Sequence, residues 1–345
     1  MTDQGGHHIN ENFKRKKSPA FEDVQQLFQD IRKGDRVALG RGITLIESEK
    51  EEHFPLASQL LSLCLPHSGN AFRLGITGVP GAGKSTFIEA FGKHLTEQGN
   101  KIAVLAIDPT SALHRGSILG DKTRMEELSA DLNAFIRPSP SGGALGGVAR
   151  KTRESMILCE AAGYTMILVE TVGVGQSEIQ VHSMVDMFLL ILIAGGGDEL
   201  QGIKRGIMEM TDLLIINKDD GGNNPLAQKA KAEYAAALHL FPPAESGWTP
   251  RVETCSALEK RNIELILQRI EEFRNLSLTN GYFQKNRTEQ NLYWFRQSLE
   301  EQLYHDFFHH PVIEKKMPEI RNAIINSTLS PFEAARILLE TFKKS

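Results

Sequence analysis

The sequence predicts an α/β protein: a doubly wound, mostly parallel sheet with a helical segment before it and a helical arm after it. Two observations carry this. From Ala71 to about Asn275 short apolar segments alternate with helical ones. Most of those apolar segments lack polar alternation, the mark of strands covered on both faces. The expected strands are Phe72–Thr77, Ile102–Ile107, Ala134–Ile136, Met166–Val169, Met187–Ile193, Leu213–Ile216 and Val252–Thr254. In such a sheet ligands bind beyond the carboxyl ends of the strands.

Four segments are expected: a disordered tail over 1–18, a helical segment over 19–70, the sheet domain over 71–278 and a helical arm over 279–345. Phe21, Val24, Leu27 and Ile31 recur at helical spacing, as do Leu39, Ile43 and Ile46. Pro66-His67-Ser68-Gly69-Asn70 then punctuates the chain. Beyond Gly281 strand signals stop. Leu292, Trp294, Phe295, Leu299, Leu303 and Phe307 form a helical apolar stripe, Pro311 breaks it, and two helices follow, the last from Ser330-Pro331. The stripe either dimerises or packs back on its own subunit.

Composition excludes several classes. A hydrophobic fraction of 41% supports a packed core, and a net charge of −4 implies no bulk attraction to nucleic acid or an anionic membrane. Lys14-Arg15-Lys16-Lys17 reads as part of a solvated tail. The longest apolar run, Met187–Ala194, is too short to span a bilayer. The N-terminus carries no apolar signal-peptide core. Cys64, Cys159 and Cys255 are scattered, as in a reduced cytoplasmic protein, and the pairs His7-His8 and His309-His310 are too short for a metal tail.

The chemistry is set by Gly78-Val79-Pro80-Gly81-Ala82-Gly83-Lys84-Ser85-Thr86, a complete G-x-x-x-x-G-K-[ST] phosphate loop between an apolar strand and a helix. Its glycines let backbone N–H groups face phosphate oxygens, and the following helix adds its positive end. Lys84 is expected to reach the β- and γ-phosphates, and Ser85 to ligate Mg²⁺. The base is indicated by Asn217-Lys218-Asp219-Asp220 at the end of the strand Leu213–Ile216. The Asp220 carboxylate can accept from guanine N1–H and N2–H₂. Adenine offers no such pair and would leave the carboxylate unsatisfied. Asn217 would tie this loop to the phosphate loop, and the Lys218 stem would cover the base. A third piece, Ser256-Ala257-Leu258 after Val252–Thr254, would place a backbone N–H against guanine O6. The three in this order favour GTP over ATP.

Carboxylates complete the set. Asp108 follows Val104–Ile107 and can hold Mg²⁺ or orient the attacking water. Asp121 is either a metal ligand or the cap of the next helix. Glu170 follows Met166–Val169, where most regulatory GTPases place Asp, and Gly173 would offer its N–H to the γ-phosphate. Gly173-Val174-Gly175 is no dinucleotide fingerprint, since Glu178 stands at the third glycine position.

From about residue 20 onward the chain resembles the MeaB/ArgK family of P-loop GTPases (methylmalonic aciduria type A protein family). The resemblance rests on Gly34-Asp35-Arg36, Gly78–Thr86, Asp108–Ser111, Ile118–Met125, Ser139–Gly147, Glu170–Glu178, Gly196–Lys204 and Asn217–Gly221. It departs in the N-terminal tail and at Asp219, the variable position of Asn-Lys-x-Asp. The resemblance implies a GTPase chaperone of adenosylcobalamin-dependent acyl-CoA mutases, chiefly methylmalonyl-CoA mutase. It would gate cofactor loading, with Mg²⁺ and GTP or GDP as its own ligands and cobalamin handled by the partner. Lys84, Asp108 and Glu170 would be catalytic. Ser85, Asp108, Asp121 and Glu170 would surround the metal. The Gly195–Arg205 segment, with Asp198, Gln201, Lys204 and Arg205, would be the switch that senses the mutase. The alternatives are a nickel-type metallochaperone GTPase and a transport-system-associated kinase, the family's older description.

Overall fold

The computed structural model describes residues 23–107, 125–138, 145–171, 177–195 and 205–345, with Leu145, Gly146 and Arg205 described by their backbone alone. Three helices open the chain: α1 (Val24–Arg32), α2 (Arg36–Glu47) and α3 (Phe54–Cys64). Asp23 caps α1 by accepting from Gln26 N–H at 2.8 Å, and Asp35 caps α2 by accepting from Val37 and Ala38 N–H at 2.7 and 3.0 Å. These bonds satisfy amides that the first helical turn leaves unpaired. The helical spacing of Val24, Leu27 and Ile31 buries one stripe of α1.

Seven parallel strands follow: β1 (Phe72–Gly78), β2 (Ile102–Ile107), β3 (Ala134–Arg137), β4 (Met166–Thr171), β5 (Met187–Ile193), β6 (Leu213–Asn217) and β7 (Arg251–Thr254). Their spatial order is β3-β2-β4-β1-β5-β6-β7, and every pairing between these seven strands is parallel. The connecting helices are α4 (Lys84–Glu97), α5 (Glu126–Ala130), α6 (Leu145–Ala161), α7 (Ser177–His182), α8 (Arg205–Glu209) and α9 (Asn224–Leu238). The first three helices pack on α6, so they share the core of the sheet. β1 lies at the centre and is buried along its whole length. With β4 on one side and β5 on the other, its carboxyl end is the switch point of the sheet.

Strand boundaries differ from expectation by a residue or so. β4 continues through Thr171, which pairs with Ile107 of β2, and the Thr171 hydroxyl donates to Thr77 Oγ1 at 2.8 Å with both side chains buried. Glu170 therefore stands beside Ile76 in the sheet and not after it.

The chain divides into two compact units: residues 1–244 with 248–273, and residues 245–247 with 274–345. The boundary falls inside α10 (Ile263–Thr279). In the second unit follow α11 (Tyr282–Phe308), α12 (Pro311–Ile325) and α13 (Pro331–Lys343). Ile313, Ile320, Ala334 and Leu338 form its core, with Phe307, Met317 and Phe342 packed against it. Ser330 caps α13 through Glu333 N–H at 3.2 Å. The buried residues of α11 are Arg287, Gln290 and Trp294, with the Arg287 guanidinium over the Phe283 ring. Four residues of the expected apolar stripe are open to solvent: Leu292, Phe295, Leu299 and Leu303 are 64, 69, 49 and 57% exposed.

Candidate nucleotide site

The phosphate loop leaves β1 at Gly78 and enters α4 at Lys84. Two glycines explain why it takes this path. A Cβ on Gly78 would lie 2.1 Å from the Ile191 carbonyl oxygen of β5, so only glycine lets the strand end so close to its neighbour. Gly83 adopts φ +86° at the N-cap of α4, and a Cβ there would lie 2.7 Å from Asn217 Nδ2. Lys84 Nζ donates to the Gly78 carbonyl at 2.9 Å and lies 3.4 Å from that of Val79, folded back over its own loop. Burial pulls the Lys84 ammonium below the ordinary lysine range, and the nearby Glu170 and Glu178 carboxylates push it back up.

Ser85 opens the second position of α4, and its hydroxyl lies 3.4 Å from Glu170 Oε1 at the end of β4. A hydroxyl and a carboxylate thus converge beside the phosphate loop. This all-oxygen pair suits Mg²⁺, which prefers few protein oxygens and keeps water and phosphate ligands besides. Asp108, Asp121, Gly173, Asp198, Gln201 and Lys204 lie outside the described residues, and of Arg205 only its place at the start of α8 is described.

On the other side of β1, β6 and β7 deliver the two loops expected to hold the base. Asn217 is 3% exposed and bridges all three loops: its Nδ2 donates to Ala82 O at 2.8 Å, and its Oδ1 accepts from Ala257 N–H at 3.1 Å. Ser256 Oγ donates to Asp220 Oδ2 at 2.5 Å and accepts from Glu259 N–H at 3.0 Å. Asp220 is half-buried, Lys218 is exposed with φ +60°, and Leu258 is 78% exposed. Val79, Pro80, Gly81 and Thr86 complete the loop that faces this pocket of residues, with Pro80, Gly81 and Thr86 open to solvent. The arrangement offers backbone amides and a cation at one end and a hydrogen-bonded carboxylate at the other.

Three buried carboxylates were not among the expected site residues. Glu253 on β7 is 5% exposed and accepts from Lys231 Nζ at 2.6 Å and Arg269 Nε at 2.8 Å. Burial acts to raise its carboxyl, and the two cations overcome this and hold it below the usual range. Glu178 is 1% exposed near Lys84. Asp219, the variable residue of the base motif, is also 1% exposed. Only a charged residue inside an otherwise apolar or motif-bound stretch hints at such roles, and that signal is weak without coordinates.

Comparison with known proteins bears on this geometry. The family model described as "Methylmalonyl Co-A mutase-associated GTPase MeaB" matches residues 39–311. The chain is 49% identical to "GTPase ArgK" of Escherichia coli over 310 residues, 90% of this chain and 94% of that one. It is 49% identical to a "Putative GTPase" of Caulobacter vibrioides over 320 residues, covering 93% and 98% of the two chains. A mouse relative, "Methylmalonic aciduria type A homolog, mitochondrial", is 46% identical over 93% of this chain and 80% of its own. Among solved structures, the "Crystal structure of LAO/AO transport system kinase" superposes with a TM-score of 0.73 at 41% identity, covering 93% and 97%. A phosphate-loop sequence at the switch point of a parallel sheet, an Asn-Lys-x-Asp loop two strands away and these likenesses agree: the chain belongs to the MeaB family and is a GTPase.

Proposed function

We propose that this GTPase serves an adenosylcobalamin-dependent acyl-CoA mutase of the methylmalonyl-CoA type, gating the loading and protection of the mutase's cofactor. The family description and the mouse relative's name support the partner class. The observation that carries the nucleotide assignment is the Asp220 carboxylate fixed by Ser256 beside the Asn217 bridge. Asp220 would accept from guanine N1–H and N2–H₂, Asn217 would hold the base loops to the phosphate loop, and Lys218 and Leu258 would flank the base.

At the phosphate end, Lys84 would exchange the Gly78 carbonyl for β- and γ-phosphate oxygens and stabilise charge on the transferred phosphoryl group. Ser85 and Glu170 would hold Mg²⁺, with Asp108 and Asp121 as the further carboxylates of the set. Bound there, the ion supplies charge neutralisation between the phosphates. Asp108 or Glu170 would also orient the attacking water, and Gly173 would report the γ-phosphate through its backbone N–H. The Asp198, Gln201, Lys204 and Arg205 segment would couple this state to the mutase. Cobalamin would be bound by the partner and not by this chain.

The exposed stripe Leu292, Phe295, Leu299 and Leu303 supports a homodimer built through α11. Light scattering at micromolar concentration should give twice the chain mass, and a monomer would remove that part. We place the protein in the cytoplasm. Its three described thiols, Cys64, Cys159 and Cys255, are free and buried, as suits a reducing compartment. Among the described residues no helix is long and apolar enough to cross a membrane.

The kinase reading follows the name given to the structural relative, a transport system kinase. A kinase gains nothing from a guanine-reading carboxylate, which disfavours it. A nickel-delivery GTPase is the other alternative; the described residues hold no group of three or more His, Cys, Asp or Glu side chains placed to bind a metal. The deciding experiment is GTP hydrolysis with and without an adenosylcobalamin-dependent acyl-CoA mutase from the same organism. Stimulation that Lys204→Ala reduces, with basal turnover nearly intact, is expected. Absence of stimulation by any such mutase would leave the GTPase without this role.

A further inference from the structure

We propose that Asp219 is a positioning residue for guanine recognition: its buried carboxylate, held by Asn224, fixes the turn that aims Asp220 at the base. The inference rests on the assignment of residues 217–220 and 256–258 as base loops.

The variable position of an Asn-Lys-x-Asp turn has no stated task, and an aspartate there would ordinarily be solvated. Here Asp219 is 1% exposed while its neighbours differ: Lys218 is exposed and Asp220 half-buried. Successive side chains of the turn therefore point outward, inward and toward the site. A buried carboxylate is tolerated only with partners. Asn224 Nδ2 donates to Asp219 Oδ1 at 2.9 Å. Asn224 is the first residue of the 15-residue α9, whose N-cap residue Asn223 makes no side-chain bond to the helix. The Asp219 anion thus lies where the helix end favours negative charge.

The main chain is tied from the same residue. Asp219 N–H donates to Cys255 O at 3.0 Å, and Cys255 N–H donates to Ile216 O at 2.9 Å. These bonds stitch the turn to the chain that leads into Ser256 and Ala257. Asn223 N–H closes the turn on Asp220 O at 2.8 Å. Lys218, with φ +60°, sits in the left-handed region that a lysine rarely adopts. A turn with this unfavourable residue needs outside support, and Asp219 links it to both α9 and the Ser256 loop. Asp220 follows directly, so its direction depends on how Asp219 is held.

The test compares GDP with IDP, which lacks the 2-amino group that Asp220 reads. Binding is measured by calorimetry on the full chain, with circular dichroism and thermal unfolding of each variant. Asp219→Ala should weaken GDP about tenfold, the scale of one lost buried bond to a charged group, and bring the GDP:IDP ratio toward one. Asp219→Asn keeps an acceptor for Asn224 and should restore most of the ratio. Asn224→Ala removes the donor and should reproduce the loss, so it decides the matter if Asp219→Ala does not fold. A folded Asp219→Ala or Asn224→Ala that keeps the wild-type ratio, or that loses GDP and IDP affinity alike, overturns the inference. Asp220→Ala is run beside them: an unchanged ratio there would remove the base-loop assignment itself. A changed ratio there with Asp219 and Asn224 variants unaffected would remove only the role of Asp219.

Discussion

The two ends of the nucleotide site are built differently. At the base end every motif side chain that reads or orients is already bonded. Asn217 joins Ala82 to Ala257, Ser256 holds Asp220, and Asp219 holds Asn224. At the phosphate end Lys84 is turned onto its own loop carbonyls, and Ser85 and Glu170 share one long contact of 3.4 Å. The base end is preorganised, so it can discriminate without rearranging. The phosphate end must exchange protein bonds for ligand bonds. On the proposed reading, recognition and chemistry would rest on different bonds, joined through Asn217 and Ala82, and a partner could act on the second with little effect on the first.

Variants can break that separation, and the largest effect belongs to the phosphate end. Lys84→Ala should lower the turnover rate by about 10²–10³-fold or more, because it removes the charge opposite the transferred phosphoryl group. Guanine-over-adenine selectivity should persist, as measured by competition of GDP and ADP. Glu170→Ala should lower turnover about 10–10²-fold and raise the Mg²⁺ concentration needed, again with little change in base selectivity. A magnesium titration of single-turnover rates checks this, and unchanged turnover would leave Glu170 as a sheet residue only.

At the base end, Ser256→Ala should cost about 1 kcal/mol, roughly fivefold in GTP affinity, with turnover of bound GTP unaltered. A fall in the bound-state rate would show that the two ends are coupled after all. The variant with the least effect on nucleotide binding concerns Asp212, the residue before β6. Burial pushes the Asp212 carboxyl up to about 7, opposed by the bond it accepts from Phe188 N–H at 2.8 Å. Its folded value lies above the ordinary carboxyl value of about 4, so its contribution is full below about pH 4 and is lost as pH rises through 7. Asp212→Asn should therefore flatten the pH dependence between 5 and 8. It should gain about 1–3 kcal/mol over the wild type at pH 8 in urea unfolding and little at pH 5.

Much of this was legible in residues alone. Seven apolar runs gave seven strands, because strands buried on both faces carry no competing polar pattern. Gly78–Thr86 and Asn217–Asp220 follow motif patterns of fixed residue types at fixed spacing, and the structure sets them at the ends of β1 and β6; that they hold phosphate and guanine is the proposed reading. Bonds that cross between distant segments were not legible. Thr171 joins β4 through its pairing with Ile107 of β2 and its bond to Thr77 of β1, both far away in sequence. Glu253 is stabilised by cations from two helices, 22 residues before it and 16 after it. Asp219 stands at the variable position of Asn-Lys-x-Asp, where the motif demands no residue type, and its burial and its bond to Asn224 are what distinguish it. The stripe on α11 was visible as periodicity, but periodicity does not say which face the fold covers, and Arg287, Gln290 and Trp294 are the ones buried.

The measurement that tests the account most directly is calorimetric titration of the wild type and Asp220→Asn with GTP, ATP and XTP. The wild type should bind GTP at least about 100-fold more tightly than ATP or XTP, since neither offers the N1–H and N2–H₂ donor pair to the half-buried Asp220 carboxylate. Asp220→Asn should invert the preference toward XTP, since its amide offers a donor where xanthine has a carbonyl. ATP bound as tightly as GTP by the wild type, or an unchanged preference in Asp220→Asn, would contradict the account.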